Sequence, residues 1–150
     1  IVTLAKALGN GVPIGACWAR AEVAGAFQPG DHGSTFGGQP LAAAAARAVL
    51  NELEAIDAPR LAARRGAHLA AAVSSLPGVV QVRGTGLLLG VVLAAGLDAK
   101  AITSACLQAG LVVNAPVPGV LRLAPPLTVS EAEIEEGTGI LAAVLAEAAA

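Results

Sequence analysis

Charged and aromatic side chains are scarce in this sequence. Of its 150 residues, 13% are charged and 2% are aromatic, whereas an average soluble domain is about 25% charged. The net charge is -2 and the basic residues form no cluster, which argues against nucleic-acid binding because such proteins need a concentrated positive face. So little polar surface indicates that a partner or further chain covers part of the exterior, although the many alanines also raise the hydrophobic fraction to 55%.

Methionine is absent, and no apolar run is long. Without a methionine the chain has no start residue of its own, so we expect a fragment or a processed piece. The longest stretch without a polar side chain, residues 86–97, is shorter than the roughly 20 residues of a membrane span. No basic leader with a cleavage site is visible at residues 1–5. We therefore expect no membrane association.

Cysteine and histidine are too few and too far apart for a metal site. Cys17 and Cys106 lie far from each other, and neither His32 nor His68 has a cysteine or histidine at ligand spacing. The cysteines are expected to be free thiols in a reducing compartment, which favours the cytoplasm.

The first third of the chain reads as short strands joined by glycine-rich loops. Residues 1–5 and 14–18 are predicted strands, residues 21–27 a short helix, and residues 29–40 a loop. From Pro40 to Leu53 the propensities favour a helix with proline in its first turn. Because this helix is apolar nearly all round, we expect it to be buried between other elements and to connect two packed bodies.

A domain boundary is predicted near residue 57, which gives a first domain over 1–57 and a second over 58–150. After a helix over 60–76, the pattern predicts strands at 79–83 and 87–93, a helix at 99–109, strands at 111–114 and 120–123, and a final helix. Ser130 followed by Glu133 is the signature of a capping box. This order describes a small α+β domain.

Lys6 is one of two lysines and stands where an apolar run meets a turn-rich segment ending at Pro13. Strand ends that open into loops often carry active-site residues. Burial lowers the pKa of a lysine, and a neutral amine attacks carbonyl groups. Spacing alone favours the alternative, a solvated lysine on a loop.

The loop that follows His32 carries two hydroxyls, Ser34 and Thr35, between glycines and directly before the long helix. Such a loop offers hydroxyl and backbone donors to an anion, but it is also typical of a loop that caps a helix. A third candidate is Arg122, which interrupts an apolar strand. An arginine there needs a carboxylate partner, from a substrate or from a structural acid.

Four segments, taken in order, resemble the C-terminal part of class III pyridoxal-phosphate-dependent aminotransferases. They are LAKALGNGVPIGA at residues 4–16, HGSTFGGQP at 32–40, RGTGLLLG at 83–90 and LRLAPPL at 121–127. The resemblance implies an α/β fold, namely the C-terminal end of the large domain of a fold type I transferase followed by its small α+β domain. It implies pyridoxal 5'-phosphate as cofactor and a cytoplasmic homodimer.

The resemblance also implies roles for four residues. Lys6 matches the lysine that holds the cofactor as a Schiff base and moves the proton. Thr35 matches the residue that binds the cofactor phosphate from the partner subunit, Ser34 a substrate contact, and Arg122 an arginine that pairs with an acid or a carboxylate near the substrate.

The implied reaction belongs to arginine biosynthesis and moves the side-chain amino group of N-acetylornithine to 2-oxoglutarate. Related enzymes that act on ornithine, succinylornithine or 4-aminobutyrate are alternatives, and so is a non-catalytic dimerisation fragment.

Two positions depart from the family pattern, and several family residues are missing. Ala7 stands where glycine is usual, and Gln39 stands where asparagine is common. An alanine at position 7 would be strained only if the backbone there had a positive φ. The family's phosphate loop, its ring-stacking aromatic, its pyridine aspartate and its main substrate arginine have no match in these residues. We therefore expect the isolated chain to be catalytically incomplete.

Overall fold

The structure is a computed structural model that describes residues 1–149. It divides into two compact units, one over Ile1–Asp57 and one from Ala58 onward. No helix among the described residues is long and apolar enough to cross a membrane.

The first unit contains a two-stranded antiparallel sheet and two helices. Strand β1 (Val2–Leu4) pairs with β2 (Ala16–Trp18). These strands lie within the predicted strands at 1–5 and 14–18 and are shorter than predicted. A 3-10 turn over Lys6–Gly9 follows β1. Helix α1 spans only Ala21–Ala24, because beyond Gly25 the amides of Ala26 and Phe27 bond three residues back in tighter turns.

Helix α2 (Pro40–Ala55) confirms the predicted helix, with Pro40 in its first turn. Its predicted burial is wrong for this chain. Only Ala42 and Ala46 are buried, while Leu41 is 75% exposed and Leu50 is 49% exposed. Within the first unit the 3-10 turn packs against the helix, and so short an element leaves most of an all-round apolar surface open.

The second unit contains three helices and one four-stranded antiparallel sheet, which share one hydrophobic core. Its elements, in chain order, are α3 (Ala58–Ser74), β3 (Val79–Thr85), β4 (Leu88–Leu93), α4 (Ala99–Gln108), β5 (Asn114–Val117), β6 (Val120–Leu123) and α5 (Glu131–Ala148). The strand order in the sheet is β3-β4-β6-β5. The predicted sequence of strands and helices is confirmed.

The predicted strand at 111–114 is misplaced. The observed strand β5 begins at Asn114, where its ladder with β6 starts opposite Arg122. The Leu111 amide instead donates to the carbonyl of Cys106 at 2.8 Å and closes the end of α4. Because β5 pairs only with β6, it is an edge strand and tolerates Pro116.

The core lies on one face of the sheet. Alternate residues of β4 (Leu89, Val91 and Leu93) and of β6 (Leu121 and Leu123) are buried against the helices. The alternation that buries these side chains places the residues between them on the opposite face. That face, which we call the open face, carries Arg122, and Arg122 is exposed.

The start of α5 confirms the predicted capping box. The Glu133 amide donates to Ser130 Oγ at 3.2 Å, and the Ser130 amide donates to Glu133 Oε2 at 2.7 Å. The Ser130 hydroxyl also donates to Glu133 Oε2, at 2.7 Å. The two hydrogen bonds that this oxygen accepts, the one from the Ser130 amide foremost, lower the pKa of the Glu133 carboxyl. The capping box thus defines where the final helix begins.

Candidate functional site

Lys6 is the first residue of the 3-10 turn that follows β1. Its backbone is left-handed, with φ of 54°, since Ala5 before it is extended and the Leu8 amide already donates to the Ala5 carbonyl at 3.1 Å. A left-handed backbone costs a residue with a Cβ roughly 1–2 kcal/mol. Backbone strain of this kind is concentrated at functional sites.

The Lys6 side chain is exposed and has no hydrogen-bond or ion-pair partner among residues 1–149. The described residues therefore leave its amine open to solvent. Ala7 is not among the residues with positive φ in this part of the chain. Alanine in place of the family's glycine at position 7 introduces no backbone strain, because the left-handed conformation is at Lys6 and not at Ala7.

The loop before α2 exposes both of its hydroxyl residues, Ser34 and Thr35. Within residues 1–149 neither hydroxyl makes a hydrogen bond, and the N-cap residue Gln39 makes no side-chain cap bond. The loop closes on itself, with the Gly37 amide donating to the Ser34 carbonyl at 3.3 Å. The hydroxyls therefore do not cap α2, and both they and the first-turn amides of the helix can bind an anion.

Lys6 and this loop belong to one unit and meet the same helix. The 3-10 turn that starts at Lys6 packs against α2, and α2 begins directly after the loop with Ser34 and Thr35. Arg122 lies in the second unit.

Arg122 has no carboxylate partner among residues 1–149. It is exposed on the open face, and its Nε donates to Asn114 Oδ1 on the neighbouring strand at 3.0 Å. Its protein partner in the described part of the chain is thus an amide and not a carboxylate. The reason is strand alternation, which buries Leu121 and Leu123 and turns Arg122 to the other side.

The sequence interpretation missed Arg83, whose side chain lies over Gly90 on the neighbouring strand. The two residues are directly opposite in the β3–β4 hairpin. The signal was present in the sequence, because counting outward from the turn near Gly86 pairs these positions.

Comparison with known proteins identifies the family. The profile described as Aminotransferase class-III matches residues 1–145. The chain belongs to the class III aminotransferase family.

The relatives include enzymes that act on ornithine derivatives. An acetylornithine aminotransferase from Corynebacterium efficiens is 48% identical over 147 residues, which cover 98% of this chain and 36% of that protein. The match lies in the C-terminal portion of such relatives.

Solved structures agree with the fold. The ornithine aminotransferase of Toxoplasma gondii, which has pyridoxal phosphate at partial occupancy in its active site, superposes with a TM-score of 0.87 at 30% identity and covers 98% of this chain and 36% of that one.

An acetylornithine aminotransferase structure from Elizabethkingia anophelis gives a TM-score of 0.84 at 30% identity and covers 97% of this chain and 40% of that one. The fold is therefore that of a fold type I transferase. The chain spans little more than a third of the length of these relatives.

Pyridoxal phosphate is the cofactor that the family implies, and the first unit has residues that fit it. Within residues 1–149 the Lys6 amine has no partner, the hydroxyls of Ser34 and Thr35 make no hydrogen bond, and α2 has no side-chain cap at its start. An aldehyde group reacts with such an amine, and a phosphate group binds such hydroxyls and helix amides.

Proposed function

We propose that the complete protein transfers the side-chain amino group of N-acetylornithine to 2-oxoglutarate, a step of arginine biosynthesis. The observation that carries the proposal is the 48% identity to an enzyme of that activity over 98% of the chain. The strained and unpartnered Lys6 supports it.

Lys6 holds the cofactor covalently through Nζ and moves the proton at the carbon that bears the amine. When bound, pyridoxal phosphate withdraws the electrons left on that carbon. Lys6 opens the 3-10 turn with an exposed side chain, so its amine can reach a carbonyl. Lysine serves as base in one half-reaction and as acid in the other.

Thr35 binds the cofactor phosphate, and Ser34 contacts the substrate. In this proposal the enzyme is a cytoplasmic homodimer, and Thr35 acts in the partner's site. The exposed position of both hydroxyls supports this assignment, since neither has a partner within residues 1–149.

The unit over Ile1–Asp57 is then the C-terminal end of the large domain, and the unit from Ala58 is the small domain. The groups that stack on the ring and protonate its nitrogen have no match in this chain. We expect the isolated chain to lack activity and to show no stable cofactor absorbance.

The test uses the complete enzyme. Borohydride reduction should bleach the visible band of the bound cofactor, and mass spectrometry should then find the pyridoxyl label on the peptide that contains Lys6. Lys100, the other lysine and also exposed, is the matched control. Lys6→Ala should abolish labelling and turnover, whereas Lys100→Ala should retain both. A label on Lys100 would refute the assignment.

Ornithine is the second candidate for the amino donor, since the Toxoplasma gondii ornithine aminotransferase has the same fold over 98% of the chain. Measuring kcat/KM for N-acetylornithine and for ornithine decides between them. We expect the acetylated donor to be preferred, and a higher value for ornithine would reverse the choice.

A further inference from the structure

Four residues form one row across the open face of the second unit. Arg83 of β3 is opposite Gly90 of β4, Gly90 is opposite Arg122 of β6, and Arg122 is opposite Asn114 of β5. Residues directly opposite in antiparallel strands point to the same face. Two arginines therefore flank a glycine, with their backbones two strand spacings, or about 10 Å, apart.

The Arg83 side chain lies over Gly90 of the neighbouring strand. A Cβ placed on Gly90 would lie 3.5 Å from Arg83 Cγ and 3.6 Å from Arg83 Nε. Arg83 thus extends from the edge strand across β4, which is the strand between it and Arg122. On the other side, the hydrogen bond from Arg122 Nε to Asn114 holds the second guanidinium in place.

Neither arginine has an acidic partner among the residues that the structure describes. Arg122 uses only Nε for its hydrogen bond, so its two terminal nitrogens are free to donate. Two guanidinium groups on one face attract an anion, and their planar donors match a carboxylate in geometry as well as in charge.

We propose that Arg83 is a specificity-determining residue that binds, together with Arg122, a carboxylate of the amino acceptor. This inference rests on the proposed function. There the acceptor 2-oxoglutarate carries two carboxylates and the donor N-acetylornithine carries one, so the two arginines favour the diacid by holding the carboxylate that the donor lacks.

Kinetics of the complete enzyme test the inference. Arg83→Gln should raise KM for 2-oxoglutarate on the order of tenfold, since a hydrogen bond to a charged group is lost, and should change KM for N-acetylornithine less than twofold. Arg64→Gln removes an exposed arginine whose ion pair with Glu131 spans 4.0 Å, and should change neither.

Unchanged KM values in Arg83→Gln would overturn the inference. So would an equal rise for both substrates together with a lower melting temperature, because this would indicate that Arg83 pairs with a carboxylate of the protein itself. Glutarate, a diacid without a keto group, separates this result from a failure of the proposed function. If the wild-type enzyme does not use N-acetylornithine but Arg83→Gln still weakens glutarate binding by calorimetry, the proposed function fails and the carboxylate site stands.

Discussion

At the scale of single residues, the left-handed backbone of Lys6 is the feature most directly tied to chemistry. Its φ of 54° is a conformation that glycine adopts freely and that other residues adopt at a cost. The cost is retained because the lysine must leave β1 and enter a 3-10 turn within a single residue. In the proposed function Lys6 supplies the reactive amine, although its side chain raises the energy of the left-handed backbone at this position.

Replacing Lys6 by glycine and by alanine measures this strain. Without cofactor, Lys6→Gly should be more stable than Lys6→Ala by about 0.5–1 kcal/mol, since relief of the left-handed penalty exceeds the extra chain entropy of glycine. Equilibrium unfolding in urea gives the difference. Ala7→Gly, next to it but without a positive φ, should instead destabilise the protein. A Lys6→Gly variant that is less stable than Lys6→Ala would show that the backbone at this position is not strained.

At the scale of elements, α3 packs unusually closely against the turn that joins β3 and β4. Gly66 of α3 is buried, and a Cβ at this position would collide with the Gly86 carbonyl. The helix can approach the hairpin only because position 66 has no side chain. Gly139 of α5 offers the opposite case, because nothing lies within 4 Å of a Cβ added there.

The two helical glycines form a matched pair for mutation. Gly66→Ala should destabilise the protein by about 1–3 kcal/mol through overpacking against backbone. Gly139→Ala should stabilise it by up to about 1 kcal/mol, because alanine favours a helix and meets no neighbour. Thermal unfolding of both variants against the wild type checks the signs. A Gly66→Ala variant as stable as the wild type would show that α3 can move away from the turn.

At the scale of the whole molecule, the hydrophobic core belongs to the second unit. The core cluster runs from Leu69 to Leu145 in sequence, whereas the first unit leaves many of its large apolar side chains exposed. These are Ile1, Val2, Leu4, Trp18, Val23, Phe27, Phe36, Leu41 and Leu50. The stability of the 150-residue chain should therefore reside mainly in the second unit.

Two leucine truncations test this division in the 150-residue chain. Leu121→Ala removes a fully buried side chain and should cost about 2–5 kcal/mol. Leu41→Ala removes a side chain that is 75% exposed and should change stability by no more than about 0.5 kcal/mol. Urea midpoints give both values. Similar costs for the two variants would mean that Leu41 is buried in solution.

Sequence by itself determined the features that depend on nearby residues. The helix start at Ser130 followed from a side chain three positions from its partner, and the strands at β1, β3 and β6 followed from short runs of branched apolar residues. The order of elements in the second unit was predictable for the same reason. Lys6, Ser34 and Thr35 became candidates from their positions at a strand end and in the loop before a helix. The resemblance implied their roles, which remain proposals.

Tertiary structure alone decided what depends on residues far apart in the chain. Strand β5 starts at Asn114 because its partner on β6 lies there, and α2 is exposed because so little of the first unit packs on it. The open-face position of Arg122 and its bond to Asn114 likewise required the register of the sheet. Local propensity acts over a few residues, whereas burial and register arise only when distant segments pack together.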